Sequence, residues 1–257
     1  KDPDVYVANI DQVMQVHSPL RYWWQIYYGW GQEPTKIKFR LSLMKKNPAG
    51  RPVRQYEPMQ YRDKFFRRFG YFRTEFETYD PLRGPLESQK QYLINRWDLG
   101  CYENTETGTE DCKKIIFYMS PSMPTRDENP DLYQWTLDVI NAWNASLQAA
   151  TGREDQIVQL RENEIRTDEN GDPVYASDGT LRYKYEIGDL RYNFINYITK
   201  PLSYAPLGYG PSTPDGDTGE IINGNVNIYG NWLDYVIERS MDLYDVVAGN
   251  CTMEDIM

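Results

Sequence analysis

Residues 186–230 constrain the fold of this chain most, because two alternating segments are separated there by a stretch rich in glycine and proline. Side chains alternate between two faces along 190–198 and again along 221–228, which predicts two strands. The prolines and glycines of 206–214 favour an irregular loop, and residues 215–219 have the composition of a tight turn. The sequence therefore predicts two strands joined by a long loop.

Signals elsewhere in the chain place these strands in a mixed α and β fold. Residues 113–120 form a compact apolar run that is typical of a buried strand. A helix is predicted at about 130–151, with Asn129 as its N-cap and Gly152 as its C-cap. A strand near 156–165 would then complete a strand–helix–strand unit.

A second helix is predicted at about 231–248, with Asn231 as its cap and Gly249 at its end. Each helix carries an apolar stripe, and the stripe of the second helix is so wide that it must pack against something. The stripe of the first helix comprises Trp135, Val139, Ala142, Trp143, Leu147 and Ala150. The stripe of the second comprises Trp232, Leu233, Val236, Ile237, Met241, Tyr244 and Val247.

The N-terminal part of the chain is predicted to be a separate β-rich unit. Residues 36–44 alternate between apolar and polar side chains, which predicts a half-buried antiparallel strand. The sequence thus predicts an α+β fold with two parts. A β-rich unit occupies 1–100, and a mixed sheet with the two helices occupies 101–257.

The charge of the chain excludes some classes of partner. The net charge is −10, which argues against non-specific binding to nucleic acid and to anionic lipid. Residues 62–73 do interleave basic and aromatic side chains, as single-stranded nucleic-acid sites do, but internal counter-charge explains them better in so acidic a chain. No apolar stretch approaches the roughly 20 residues that span a membrane.

Cysteines and aromatic residues suggest an exported protein with contact surfaces. Cys101 and Cys112 flank a polar segment, which predicts a hairpin closed by a disulfide, although two reduced thiols would also fit. Cys251 is left over. The chain has 22 tyrosines and 7 tryptophans, and one cluster is either a core segment or a surface that packs on another subunit or on carbohydrate. That cluster comprises Tyr22, Trp23, Trp24, Tyr27, Tyr28 and Trp30.

Three blocks of the sequence, taken in order, resemble one enzyme family. They are FGYFRTE at 69–75 with TYD at 78–80 and INR at 94–96; the apolar run 115–120 followed by a helix containing Trp143-Asn144; and GDLRY, LGYGPS and TGEI within 188–221. Over roughly residues 61–249 the chain resembles the region upstream of the zinc helix in large metzincin-like zinc metalloproteases of myxobacteria and their relatives, which are usually secreted or lipid-anchored.

The resemblance implies a zincin-like mixed sheet whose TGEI strand lies at the edge above the cleft, where substrate would pair. The residues of that strand are Glu220, Ile221, Ile222, Asn223, Gly224, Asn225 and Val226. Such an enzyme holds zinc with the histidines of HExxHxxGxxH and uses the glutamate as a base. This chain has 1 histidine, His17, so it cannot build that site, and zinc would require a missing downstream segment.

An acidic turn offers the other possible metal site. Asp215, Asp217 and Glu220 are oxygen ligands at short spacing, which suit calcium, although a solvated turn before a strand explains them equally simply. No cofactor other than this possible calcium is expected within the chain.

The sequence leaves two functions open. The chain is either the N-terminal portion of a secreted or surface metzincin-like metalloprotease, bound to its own C-terminal protease fragment, or a non-catalytic structural or interaction subunit of a surface or extracellular assembly. In both cases the chain itself lacks catalytic residues. The expected location is extracellular, periplasmic or on the outer cell surface, with any signal peptide removed or outside this sequence.

Overall fold

The fold is α+β, as predicted, and the chain divides into two compact units. The computed structural model describes residues 5–14, 35–45, 56–80, 82, 84–103, 108–199 and 206–256. One unit is Lys1–Arg54 with Gly188–Leu190, and the other is Gln55–Ile187 with Arg191–Met257. The predicted boundary near residue 100 falls inside the second unit, because the backbone at Arg96 pairs with the backbone at Glu220.

The first unit contains an antiparallel pair of long strands. Strand β1 (Val5–Met14) pairs with β2 (Thr35–Met44) over the full length of both. This pairing confirms the strand predicted at 36–44. The amide of Leu190 donates a hydrogen bond to Ser42 Oγ at 3.1 Å, which attaches the short segment Gly188–Leu190 to this unit.

The second unit begins with a short helix and two hairpins. Helix α1 (Asp63–Phe69) ends at Gly70, which adopts the left-handed conformation. Strands β3 (Arg73–Asp80) and β4 (Gly84–Ile94) pair antiparallel, as do β5 (Cys101–Glu103) and β6 (Glu110–Cys112). On the other side of β4, the amide of Tyr61 donates to the carbonyl of Tyr92 at 2.7 Å.

A mixed sheet of six strands forms the centre of the second unit. Its strands are β7 (Ile115–Met119), β8 (Val158–Arg161), β9 (Asn193–Ile198), β10 (Gly208–Tyr209), β11 (Ser212–Pro214) and β12 (Ile221–Tyr229). The order is β10-β12-β9-β7-β8, and β11 also pairs with β12. The four strands β12, β9, β7 and β8 are parallel, whereas β10 and β11 run antiparallel to β12.

Helix α2 (Pro130–Thr151) connects β7 to β8 and confirms the predicted strand–helix–strand unit. The Asn129 side chain accepts from the amide of Leu132, and Gly152 ends the helix. Most of the predicted stripe does not face the core: Trp135 and Trp143 are 65% and 59% exposed, and of the stripe residues only Leu147 packs against a core cluster. The buried side instead carries Ile140 and the polar Asn144, whose amide bonds to the backbone of the segment entering β8.

Helix α3 (Gly230–Ala248) follows β12 and ends at Gly249, as predicted. It begins one residue earlier than expected, and Asn231 lies inside it instead of capping it. A Cβ at Gly230 would collide with the ring of Tyr197, so a larger residue at the start of the helix would require that ring to move. No helix among the described residues is long and apolar enough to cross a membrane.

Side chains from the parallel strands and α2 build the core. One cluster joins Ile115, Ile140, Ile157 and Val158, and a second joins Met119, Met123 and Ile195. Phe194 on β9 is fully buried, since β9 lies between β7 and β12 in the sheet. The core is therefore concentrated around the middle of the sheet.

Candidate functional site

The strand predicted to pair with substrate lies inside the sheet and not at its edge. Strand β9 pairs with one side of β12, and β10 and β11 pair with the other side. Between those two short strands, the amide of Asn225 donates to the carbonyl of Pro211 at 2.9 Å. The prediction of an edge strand at 220–226 is wrong, because the segment expected to be an irregular loop folds back as an outer strand.

Asparagine side chains connect β12 to the first residues of β9 and the residue before it. The amide of Gly224 donates to Asn193 Oδ1 at 2.8 Å, and Asn223 Nδ2 donates to the carbonyl of Tyr192 at 2.6 Å. Asn225 Oδ1 accepts from the amide of Phe194 on β9. Asn193 and Asn223 are buried. These predicted contact residues therefore stabilise the sheet itself.

Glu220, the first residue of the predicted strand, is buried next to the end of β4. The amide of Ile221 donates to the carbonyl of Arg96 at 2.8 Å, and the amide of Arg96 donates to the carbonyl of Gly219 at 3.1 Å. Gly219 has a φ of 74°, and a Cβ there would lie 2.6 Å from the carbonyl oxygen of Ile94. Glycine is therefore required at this close approach.

Two tyrosines and two carboxylates surround this junction. Arg96 Nε donates to the Tyr56 hydroxyl at 3.1 Å, and the Tyr102 hydroxyl donates to Asp98 Oδ1 at 2.8 Å. Burial raises the pKa of Tyr102 to about 12, and the hydrogen bond to Asp98 and the nearby negative charges act in the same direction. Such a phenol stays protonated at neutral pH, so it serves as a structural donor and not as a general base.

We expect the Tyr102 hydroxyl to make stability depend on pH in the alkaline range. Its pKa is higher in the folded chain than the ordinary 10.0, so its contribution is complete below about pH 10 and is lost as the pH rises through about 12. Urea unfolding across that range should show a shallower loss for Tyr102→Phe than for the natural chain. Tyr175→Phe, at an exposed position, is the control, and equal slopes for all three proteins would contradict the expectation.

The acidic turn before β12 is held by its own hydrogen bonds. Asp215 Oδ1 accepts from the amide of Asp217 at 2.8 Å, and the carbonyl of Asp215 accepts from the amide of Gly219 at 2.8 Å. Within the described part of the chain, no three His, Cys, Asp or Glu residues are grouped to hold a metal ion. The structure therefore does not assemble Asp215, Asp217 and Glu220 into the predicted calcium site.

The predicted disulfide is confirmed. Cys101 and Cys112 lie directly opposite each other on β5 and β6 and are bonded. The amide of Lys113 donates to the carbonyl of Gly100 at 3.0 Å and continues the pairing past the bridge. Cys251 is a free thiol, and burial is the main cause of its raised pKa.

We expect loss of this disulfide to lower the free energy of unfolding by up to about 3 kcal/mol, because the bridge limits the entropy of the unfolded chain. The variant to measure carries both Cys101→Ser and Cys112→Ser, compared with the natural chain in urea. Cys251→Ser is the matched control and should leave the midpoint unchanged. An unchanged midpoint for the double variant would show that the bridge does not stabilise the fold.

A pocket of about 420 Å³ opens after β7, where the chain crosses towards α2. The strand order reverses at β7, because β8 lies on one side of it and β9 on the other. In open α/β sheets, ligands often bind at such a reversal. Its polar lining is already engaged: Ser122 Oγ donates to the carbonyl of Tyr197, Glu128 accepts from Thr125, and Asn129 caps α2. These bonds shape the pocket but provide no pair of nucleophile and base.

Helix α3 exposes a broad apolar surface. We name as the α3 apolar face the residues Val236, Ile237, Met241, Leu243, Tyr244 and Val247, all exposed. With 3.6 residues per turn they occupy one half of the helix, and the opposite half carries Asp234, Glu238, Asp242 and Asp245. Tyr244 is 70% exposed and Val247 is 80% exposed. The wide stripe predicted from the sequence is therefore present but is not buried by the described residues.

A second exposed surface surrounds α1 and carries the opposite charge. We name as the α1 patch the aromatic residues Phe65, Phe66, Phe69, Tyr71 and Phe72 with the basic residues Arg62, Lys64, Arg67 and Arg68, all exposed. The neighbouring Arg73 is neutralised by Asp63 at 2.6 Å. The four basic residues of the patch make no ion pair with any residue that the structure describes. The predicted role of internal counter-charge therefore applies to Arg73 but not to these four residues.

The other aromatic groups named from the sequence lie either on the outer side of α2 or outside the described residues. Trp135, Val139 and Trp143 form a third exposed apolar surface, on the outer side of α2. The aromatic cluster at Tyr22, Trp23, Trp24, Tyr27, Tyr28 and Trp30 lies outside the described residues, as does His17. Its predicted role as an interface remains a prediction. The α1 patch was visible in the sequence, but its exposure was not.

Comparisons of the chain with protein-family profiles, curated protein sequences and solved structures find no match. The class of protein is therefore defined by the structure. It is an α+β protein with a mixed sheet at its centre, a disulfide-closed hairpin and apolar helix faces that the described residues leave exposed.

Proposed function

We propose that this chain is a non-catalytic binding part of an exported or surface protein assembly. The observation that carries the proposal is the exposed α3 apolar face, which covers one half of a helix of 19 residues. Large contiguous apolar surfaces on globular proteins mark sites of contact with other molecules. The disulfide between Cys101 and Cys112 supports folding in an oxidising compartment.

The polar groups near the pocket and the β4 junction support a binding role and not a catalytic one. Ser120 Oγ and Ser122 Oγ lie 3.0 Å apart, and each also bonds to the backbone of Tyr197. No histidine stands among the described residues, so none of those residues offers an imidazole base to these hydroxyl groups. At the junction, Arg96 and Glu220 belong to the backbone connection between β4 and β12.

Oxidative footprinting of the protein purified from its source tests this proposal. Met241 lies on the α3 apolar face and is 62% exposed, whereas Met253 is similarly exposed outside that face and serves as the matched control. We expect Met241 to be oxidised several-fold more slowly in the native assembly than in the isolated, dilute chain. Met253 should react equally in both. Equal oxidation of Met241 in the two preparations would overturn the proposal.

A second candidate is the N-terminal portion of a secreted or surface metzincin-like metalloprotease. It is supported by contacts among the blocks that carry the resemblance. The amide of Asn95 donates to the carbonyl of Phe72 at 2.9 Å, and Thr74 Oγ1 donates to Asn95 Oδ1 at 2.7 Å. The backbone of Arg96 pairs with that of Glu220, so the FGYFRTE, INR and TGEI blocks meet at one place. In this case the α3 apolar face would contact the C-terminal protease fragment.

Intact-mass measurement under native and denaturing conditions separates the two candidates. A second fragment that contains HExxH and co-purifies with stoichiometric zinc would favour the protease portion. A chain that appears alone, or as multiples of itself, without stoichiometric zinc would favour the interaction subunit. Elemental analysis of the same sample gives the zinc content directly.

A further inference from the structure

We propose that the α3 apolar face of one copy binds the α1 patch of a second copy, so that the chain associates head to tail. This inference rests on the proposed binding function and names the partner as another molecule of the same chain. Both surfaces belong to the second unit, and neither is covered by the residues that the structure describes. Each therefore leaves apolar area in water that a complementary surface would remove.

The charges of the two surfaces match each other. Asp234 and Asp245 follow Met241 around helix α3 and border the α3 apolar face, whereas the α1 patch carries four cations around its aromatic rings. The whole chain has a net charge of −10, and the α1 patch concentrates four of its basic residues in one place. Contact between two α3 helices would bring the bordering carboxylates together, whereas contact between α3 and the α1 patch places them beside cations.

The α1 patch is already ordered for contact. The rings of Phe69 and Tyr71 stack with their centroids 6.2 Å apart, and the Arg68 guanidinium lies over the Phe69 ring. Arg73 covers the Phe66 ring at 4.4 Å and is fixed by its ion pair with Asp63. Side chains held in this way lose little conformational freedom on binding. Aromatic and arginine side chains are also the residues that interfaces favour.

The geometry has a definite consequence for the size of the assembly. The two surfaces are different parts of the same molecule, and each contact uses the α3 apolar face of one copy and the α1 patch of the other, so a bound pair keeps one unused surface of each kind. Such heterologous contacts produce rings when the rotation closes and filaments when it does not. The chain is therefore expected to form multiples that grow with concentration, and not only a symmetric dimer.

Sedimentation velocity of the full chain over a concentration series provides the first test. Val247→Asp changes the α3 apolar face, and Phe72→Asp changes the α1 patch, at side chains that are 80% and 77% exposed. Each should weaken association by roughly tenfold or more, because a charge replaces an apolar contact. Tyr175→Asp, at a similarly exposed position outside both surfaces, is the matched control and should leave association unchanged.

Mixing the two variants tests the head-to-tail arrangement itself. Val247→Asp retains an intact α1 patch and Phe72→Asp retains an intact α3 apolar face, so an equal mixture should form a dimer that cannot extend. A mixture that stays monomeric, or oligomers that persist in either variant alone, would overturn the arrangement. Circular dichroism confirms folding, and Val247→Ser with Phe72→Ser replaces any variant that unfolds.

The two proposals can fail separately. If the chain is monomeric at every concentration while Met241 is protected in the native assembly, self-association is wrong and the binding function stands with a different partner. If Met241 is unprotected in the native assembly, the binding function is wrong as well. Association that also weakens as salt is raised would support the charge pairing between the two surfaces.

Discussion

Replacing Asn144 by alanine should lower the free energy of unfolding by about 3–5 kcal/mol, although the side chain is only one polar group in a helix. Asn144 Nδ2 donates to the carbonyl of Val158 at 2.7 Å, and Asn144 Oδ1 accepts from the amides of Ile157 and Val158. Asn144 and both partner residues are buried. The substitution would leave three backbone groups without partners and without access to water.

Urea unfolding of Asn144→Ala measures this effect directly. Asn141→Ala is the matched control, because Asn141 lies one turn earlier on the same helix and is exposed. The control should change the free energy of unfolding by less than about 0.5 kcal/mol. If both variants lose the same small amount, then the side chain of Asn144 does not anchor α2 to the strand that follows it.

Replacing Phe194 by alanine should cost a similar amount, about 3–5 kcal/mol, for a different reason. Phe194 is 0% exposed on β9, and its ring centroid lies 6.2 Å from that of Tyr118 on β7. Removing the ring leaves a cavity in the middle of the parallel sheet, where strands on both sides prevent collapse.

Thermal and urea unfolding of two further variants provide the comparison for Phe194→Ala. Phe194→Leu retains most of the volume and should lose less than about 1.5 kcal/mol. Tyr209→Ala removes an aromatic ring from the outer strand β10, where the ring is exposed, and should change little. A loss for Phe194→Ala no larger than that for Tyr209→Ala would mean that this ring is not central to the core.

The sequence predicted correctly those features that neighbouring residues determine, namely the ends of α2 and the disulfide hairpin. Asn129 and Gly152 delimited α2 because caps act through neighbouring backbone groups, and Cys101 with Cys112 indicated a disulfide because a short polar hairpin lacks a core of its own. The side of α2 that is buried could not be read in this way. The apolar stripe with its two tryptophans predicted the buried side wrongly. The side that is buried carries the polar Asn144, whose hydrogen-bond partners lie on another element.

The prediction for β12 failed for the same reason, because the partners of this strand lie far away in the sequence. Pro211 and its neighbours predicted an irregular loop, but an outer strand needs only part of its backbone to pair. The bonds from Asn193 to the backbone of β12 and from Asn223 to the residue before β9 connect residues about thirty positions apart, and no spacing rule reveals them. The exposure of the α3 apolar face is likewise a property of the folded arrangement.

The short strands on the outer side of β12 also determine whether another strand can pair with this side of the sheet. Strand β11 is short, its register shifts between Thr213 and Pro214, and two prolines, Pro214 within it and Pro211 just before it, lack the amide hydrogen that strand pairing uses. A border of this kind is a poor template for further strands. Even if the chain accumulates at high concentration through its helices, this side of the sheet will resist fibril growth, and an extended peptide will find few donors there.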